Sequence, residues 1–101
     1  MNDLEIKTGI KRVVLEEIRV IARKNRVDKV ILFGSRARGD FKRTSDIDLA
    51  VEGGDFYHFS LDVEEDTSTL LEYDIIDLNR EMQDELRKSI QKEGWIIYEK
   101  V

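Results

Sequence analysis

The sequence predicts an α/β (α+β) fold, a small mixed β-sheet with helices packed on it, and three observations carry the prediction. Segments with apolar residues at helical spacing alternate with short runs rich in β-branched residues. Those short runs tend to end at glycines, as in "KVILFG" and "IDLAVEGG". No proline and no internal repeat interrupts the series, so the whole chain, residues 1–101, reads as one domain.

Taken in order, Ile10, Val13, Val14, Ile18, Ile21 and Ala22 recur at helical spacing among charged residues, which predicts an amphipathic helix over residues 9–25. "KVILFG", residues 29–34, predicts a buried strand leading directly into a loop. A second strand is expected over 46–52, closed by Gly53 and Gly54, with Asp46 and Asp48 on one face and Ile47, Leu49 and Val51 on the other. Residues 56–71 read as a helix and "YDIIDL", 73–78, as a third strand. A helix over 80–92, with Met82, Leu86 and Ile90 on one side, is capped by Gly94 before a final strand, "WIIYEK".

Composition narrows the function. Apolar residues make up 41% and charged residues 39%, enough for one modest core under a charged surface. There is no cysteine, which removes disulfides and thiolate metal sites. The charged start of the chain lacks the apolar stretch of a signal peptide and no later run approaches membrane-spanning length, so a cytoplasmic protein without a membrane partner is expected. The net charge of −5 argues against binding extended nucleic acid. Residues 34–43 nevertheless carry a net +3 from Arg36, Arg38, Lys42 and Arg43 against Asp40, which suits a small anionic ligand.

That basic loop runs into the two aspartates. Side chains at i and i+2 of a strand leave one face with backbones about 6–7 Å apart, so Asp46 and Asp48 can converge on a hard divalent cation such as Mg²⁺. Two carboxylates left side by side repel, and a cation removes the conflict. Paired ions suit phosphoryl or nucleotidyl transfer. Gly34 permits a sharp turn with close backbone approach, and Ser35 is placed to cap the short turn "SRAR" and donate to a phosphate oxygen. Arg36 and Arg38 cannot both face one point if this segment is helical. Arg36, nearer the turn, is expected to reach the phosphates, and Arg38 to face solvent or a partner. A third carboxylate can come from "YDIIDL", where Asp74 and Asp77 point to opposite faces and periodicity does not choose between them.

"GSRARGDFKRTSDIDLAV", residues 34–51, resembles the signature of the minimal nucleotidyltransferases of the DNA polymerase β superfamily, with Gly34, Ser35, Gly39, Ser45, Asp46, Asp48 and Leu49 in register. The resemblance extends over nearly the whole chain. It implies a polymerase-β-like fold, Mg²⁺ (two ions) held by catalytic Asp46, Asp48 and Asp74, and a triphosphate, commonly ATP, bound around Gly34, Ser35, Arg36 and Ser45. Small members of this kind are similar to antitoxins paired with a helical HEPN toxin. The resemblance therefore implies transfer of AMP to a tyrosine of such a partner.

Simpler roles compete at several positions. A solvent-facing pair on a half-exposed strand would show the same alternation as Asp46 and Asp48, and only the Gly-Ser turn in register separates the two readings. Lys42 and Arg43 read as solvated loop residues, and His58 as structural. Phe56, Tyr57 and Phe59 are assigned to the core or a partner, Trp95 and Tyr98 to packing of the last strand, and Glu64, Glu65 and Asp66 to an exposed acidic face. The rival function is a non-catalytic antitoxin or nucleotide-binding module that neutralises its partner by occlusion.

Overall fold

The computed structural model describes residues 3–101. Its elements are α1 (Asp3–Thr8), α2 (Arg12–Lys24), β1 (Lys29–Phe33), α3 (Ser35–Arg38), β2 (Ile47–Glu52), α4 (Phe56–Asp66), β3 (Tyr73–Asp77), α5 (Asp84–Glu93) and β4 (Trp95–Glu99). The strands form one mixed sheet in the order β3-β2-β1-β4. β1 is antiparallel to both β2 and β4, whereas β2 and β3 run parallel. A tight return suffices for an antiparallel neighbour, while a parallel one needs a crossover, and α4 provides it.

Alternation along the central strands decides which face is dry. Val30 and Leu32 of β1 and Ile47, Leu49 and Val51 of β2 are fully buried. They join Val14, Leu15, Ile18, Ala22, Phe59 and Val63 of α2 and α4 in the main core. Their strand neighbours Ile31, Asp48 and Asp74 therefore emerge from the opposite face. There α5 crosses, close enough that a Cβ on Gly94 would lie 2.4 Å from Ile31 Cγ2. At that face Ile90 and Ala50 are buried outside the main core.

Several boundaries differ from the sequence prediction for local reasons. The helix predicted over 9–25 begins only at Arg12, because Gly9 takes φ +67°. It is preceded by α1, a helix the sequence prediction did not foresee, which Thr8 closes by donating its hydroxyl to Leu4 O at 2.6 Å. α4 stops at Asp66, before the predicted 71: Thr67 turns extended and donates to Val63 O. α5 starts at Asp84, after the predicted 80, since a turn after β3 is held by Asn79 N–H donating to Asp77 Oδ1 at 2.9 Å. β2 begins at Ile47, leaving Asp46 one residue before the strand.

Candidate active site

The register of the two parallel strands builds the site. Asp48 pairs with Asp74 across β2 and β3, so the two carboxylates leave neighbouring strands, about 4.8 Å apart, from the same face. Asp77 pairs instead with fully buried Val51 and points to the other side of the sheet. Of the two acids that periodicity left open, Asp74, the one the family resemblance implies, is thus brought to Asp48. Asp46 enters from the residue before β2 and is exposed, as is Asp74, while Asp48 is half-buried between them.

Burial and crowding by like charges act together on Asp48. Asp48 is pushed up from an ordinary 3.8 to about 6, by burial first and then by the charges of Asp74 and Asp46. The cations of Arg38 and Arg36 oppose this rise. Among the described residues no three acidic or imidazole side chains are already drawn into a cage for an ion.

On the β1 side, Phe33 is paired with Asp48 and Gly34 follows it immediately. Gly34 adopts φ +76°, and a Cβ there would sit 2.1 Å from Asp48 Oδ2. Both facts exclude a side chain at this position. The backbone of the turn is thereby laid against the central carboxylate. "SRAR" is helical as expected, but Gly34 occupies the cap position and its carbonyl accepts from Ala37 and Arg38, so Ser35 lies inside the first turn and does not cap it.

Arg36 corrects the sequence expectation. Arg36 is 1% exposed and its guanidinium is enclosed by the chain. Nε donates to Ser45 O at 3.0 Å, Nη1 to Thr8 O at 2.9 Å, and Nη2 to Arg43 O at 3.2 Å and Lys42 O at 3.5 Å. The face of the guanidinium lies 4.9 Å from the Phe41 ring centre. It ties the end of α1 to the loop that delivers Asp46. Burial lowers its pKa, and the nearby charges of Asp46 and Asp48 oppose that shift. Ser45 is likewise engaged in the loop, its hydroxyl accepting from Lys42 N–H at 2.8 Å.

Arg36 thus neither reaches the site nor faces solvent, while Arg38 faces solvent as expected. Arg38 is exposed and shared between Asp40 at 3.3 Å and Glu93 at 3.4 Å, and these bonds raise its pKa. It is the cation on the solvent side of Asp48. No local sequence pattern announces a partner 55 residues away in α5. Trp95 also reaches this corner: its indole N–H donates to Ala37 O at 2.9 Å, fastening α3 to β4, with Lys7 Nζ 5.1 Å from its ring centre. His58 takes a structural position, Nδ1 lying 2.6 Å from Asp55 Oδ2 at the start of α4. Phe59 is core, and Tyr57 is exposed.

A Gly-Ser turn closing the central strand of a small mixed sheet, set against carboxylates from the next two strands, defines a polymerase-β-like nucleotidyltransferase. The family model described as "Polymerase beta, Nucleotidyltransferase" matches residues 16–101, and the chain belongs to this family. A protein of Methanocaldococcus jannaschii named "Putative protein adenylyltransferase MJ0604" is 30% identical over 84 residues, covering 74% of this chain and 82% of that protein. Among solved structures, a toxin-antitoxin with AMP-PNP superposes with TM-score 0.65 at 24% identity, covering 85% of this chain and 73% of the other. A mutant of the toxin-antitoxin MntA-HpeT gives 0.64 at 22%, with the same coverage. At such identities the structures establish the fold, which is the one the sequence predicted.

Proposed function

We propose that this chain, acting as one domain over residues 1–101, transfers AMP from ATP to a hydroxyl of a protein partner in a Mg²⁺-dependent reaction. The acceptor in this reading is a tyrosine of a helical HEPN toxin, which the modification silences, and the pair works in the cytoplasm. The observation that carries the reading is the placement of Asp48 between Asp46 and Asp74 with the Gly34 backbone against it. The toxin-antitoxin neighbour with AMP-PNP and the M. jannaschii relative support the nucleotide and the protein acceptor.

The residues fit a divalent cation. Three carboxylates from one sheet end are the oxygen donors that Mg²⁺ takes alongside phosphate and water, and the raised pKa of Asp48 marks a charge excess that a cation would relieve. Asp46, Asp48 and Asp74 are the proposed ligands for two ions. Bound there, the ions would supply Lewis acidity and neutralise charge developing on phosphate. Gly34 and Ser35 seat the triphosphate, the first by leaving backbone room and the second through its hydroxyl. Arg36 and Ser45 hold the loop that positions Asp46. In the reaction the acceptor oxygen bonds to the α-phosphorus, the bond from that phosphorus to the α,β-bridging oxygen breaks, pyrophosphate leaves, and the hydroxyl proton passes to solvent.

The toxin-antitoxin neighbours equally support a second reading, an antitoxin that acts by occlusion without turnover. Intact mass of both proteins after incubation with Mg²⁺ and ATP separates the two. An added AMP on the partner, lost in a folded Asp48→Asn variant, is the expected result. A tight complex without mass change, neutralising its partner equally in Asp46 and Asp48 variants, establishes occlusion.

A further inference from the structure

On the β3 side of Asp46 a cavity of about 430 Å³ opens between the end of α4 and the segment leading into β3. Asp46, Glu64, Glu72 and Tyr73 line it, together with Thr69 and Leu70. Glu64 and Glu72 are exposed and form no ion pair among the described residues. Leu70 projects fully into solvent, at 103% relative exposure, and borders a second cavity of about 340 Å³ on its other side. Tyr73 does not supply a reactive hydroxyl here. It is bonded to Thr67 at 2.8 Å, and burial pushes its pKa up to about 12.

The sheet order gives this cavity a direction. Gly34 and Ser35 lie at the end of β1, Asp46 and Asp48 on or beside β2, and Asp74 on β3, which is an edge. In-line displacement brings the nucleophile in opposite the leaving group. With pyrophosphate leaving on the β1 side, the acceptor must approach from the β3 side, where the cavity opens. We propose, building on the transferase reading above, that this cavity and the Leu70 rim dock the acceptor. The acceptor is a protein segment that presents its hydroxyl beside a basic side chain and offers an apolar contact to Leu70.

Charge selects the class of occupant. Glu64 and Glu72 attract a cationic side chain, and continue into the exposed Glu65 and Asp66 at the end of α4. The same carboxylates repel a polyanionic strand, which excludes nucleic acid as the favoured acceptor. A fully exposed leucine between two cavities is the kind of anchor that gains by burial in a partner.

The test uses the full chain and short labelled peptides with one tyrosine, flanked either by lysines or by glutamates, together with a single-stranded RNA bearing a free 3′ hydroxyl. Binding is measured by fluorescence anisotropy with AMP-PNP and Mg²⁺ present, and AMP incorporation is followed in parallel by mass. The lysine-flanked peptide is expected to bind at least about tenfold tighter than its glutamate counterpart. Glu64→Lys with Glu72→Lys should remove that preference, and Leu70→Asp should weaken the lysine-flanked peptide, with AMP-PNP affinity unchanged in each. Equal binding of the peptides, a preference that survives charge reversal, or tighter binding of the RNA overturns the proposal. A binding preference without AMP incorporation keeps the docking surface and removes the transferase reading. Incorporation without preference does the reverse.

Discussion

Arg36 and Asp48 are both withdrawn from water at the same end of the sheet, and the fold treats them in opposite ways. Arg36 is enclosed almost completely, yet four backbone carbonyls and an aromatic face surround its guanidinium. Asp48 is only half-buried, yet that burial, together with the like charges of its neighbours Asp74 and Asp46, pushes its pKa to about 6. The buried cation is satisfied by the chain itself. The carboxylate is left unsatisfied, which is what a site that gains its partner from outside requires, and the satisfied arginine holds the unsatisfied one's neighbour in place.

That contrast sets the order of expected effects. Removing a charge from the unsatisfied side should act on chemistry: Asp48→Asn is expected to lower transfer by roughly a hundredfold or more, the scale a bound cation supplies, with unchanged circular dichroism. Full activity in the folded variant would break the comparison. Removing the satisfied charge should act on stability. Arg36→Met strands several buried carbonyls and is expected to cost about 2–4 kcal/mol in denaturant unfolding, with Arg36→Lys recovering part of it. Gly34→Ala forces a Cβ onto Asp48 at a left-handed backbone position, so a loss of about 1–2 kcal/mol and impaired AMP-PNP binding are expected by calorimetry.

A finer prediction concerns pH. A carboxyl whose folded pKa is raised binds its proton more tightly in the folded state. Its contribution to stability is therefore complete below about 3.8 and is lost as pH rises through about 6. Asp48→Asn escapes that loss. The metal-free variant is expected to be more stable than wild type at pH 7.5, by about 1 kcal/mol once solvent screening of a half-exposed group is allowed for, and equally stable near pH 3. Added Mg²⁺ should narrow the difference by stabilising wild type alone. Smallest of all, Arg38→Ala should leave the denaturant midpoint nearly unchanged, because its ion pairs are exposed, while raising the Asp48 pKa seen by NMR titration.

Much of this was legible in the residues. Helical spacing in α2 and α5, β-branched runs in β1 and β2, and the alternation around Asp46 and Asp48 are local signals, and each element appears where they place it. The helix ends were less legible. Gly9 delays the start of α2 to Arg12 and Thr67 ends α4 through backbone angles and hydrogen bonds that composition does not encode. Arg36 was misread because nearness to a turn says nothing about whether a side chain points out or in.

The sequence by itself determined the elements other than α1, the dry face of the sheet and the pairing of two aspartates on its other face, since all three follow from periodicity along one strand or helix. Periodicity could not choose between Asp74 and Asp77, a choice that the family resemblance made and with which the strand register agrees. Only the tertiary structure decided that Arg36 is internal while Arg38 pairs with Asp40 and Glu93, and that Leu70 stands over a cavity beside Asp46. Those facts depend on the register between strands far apart in the chain and on which carbonyls surround a guanidinium. Such relations are fixed by packing, and no local spacing records them.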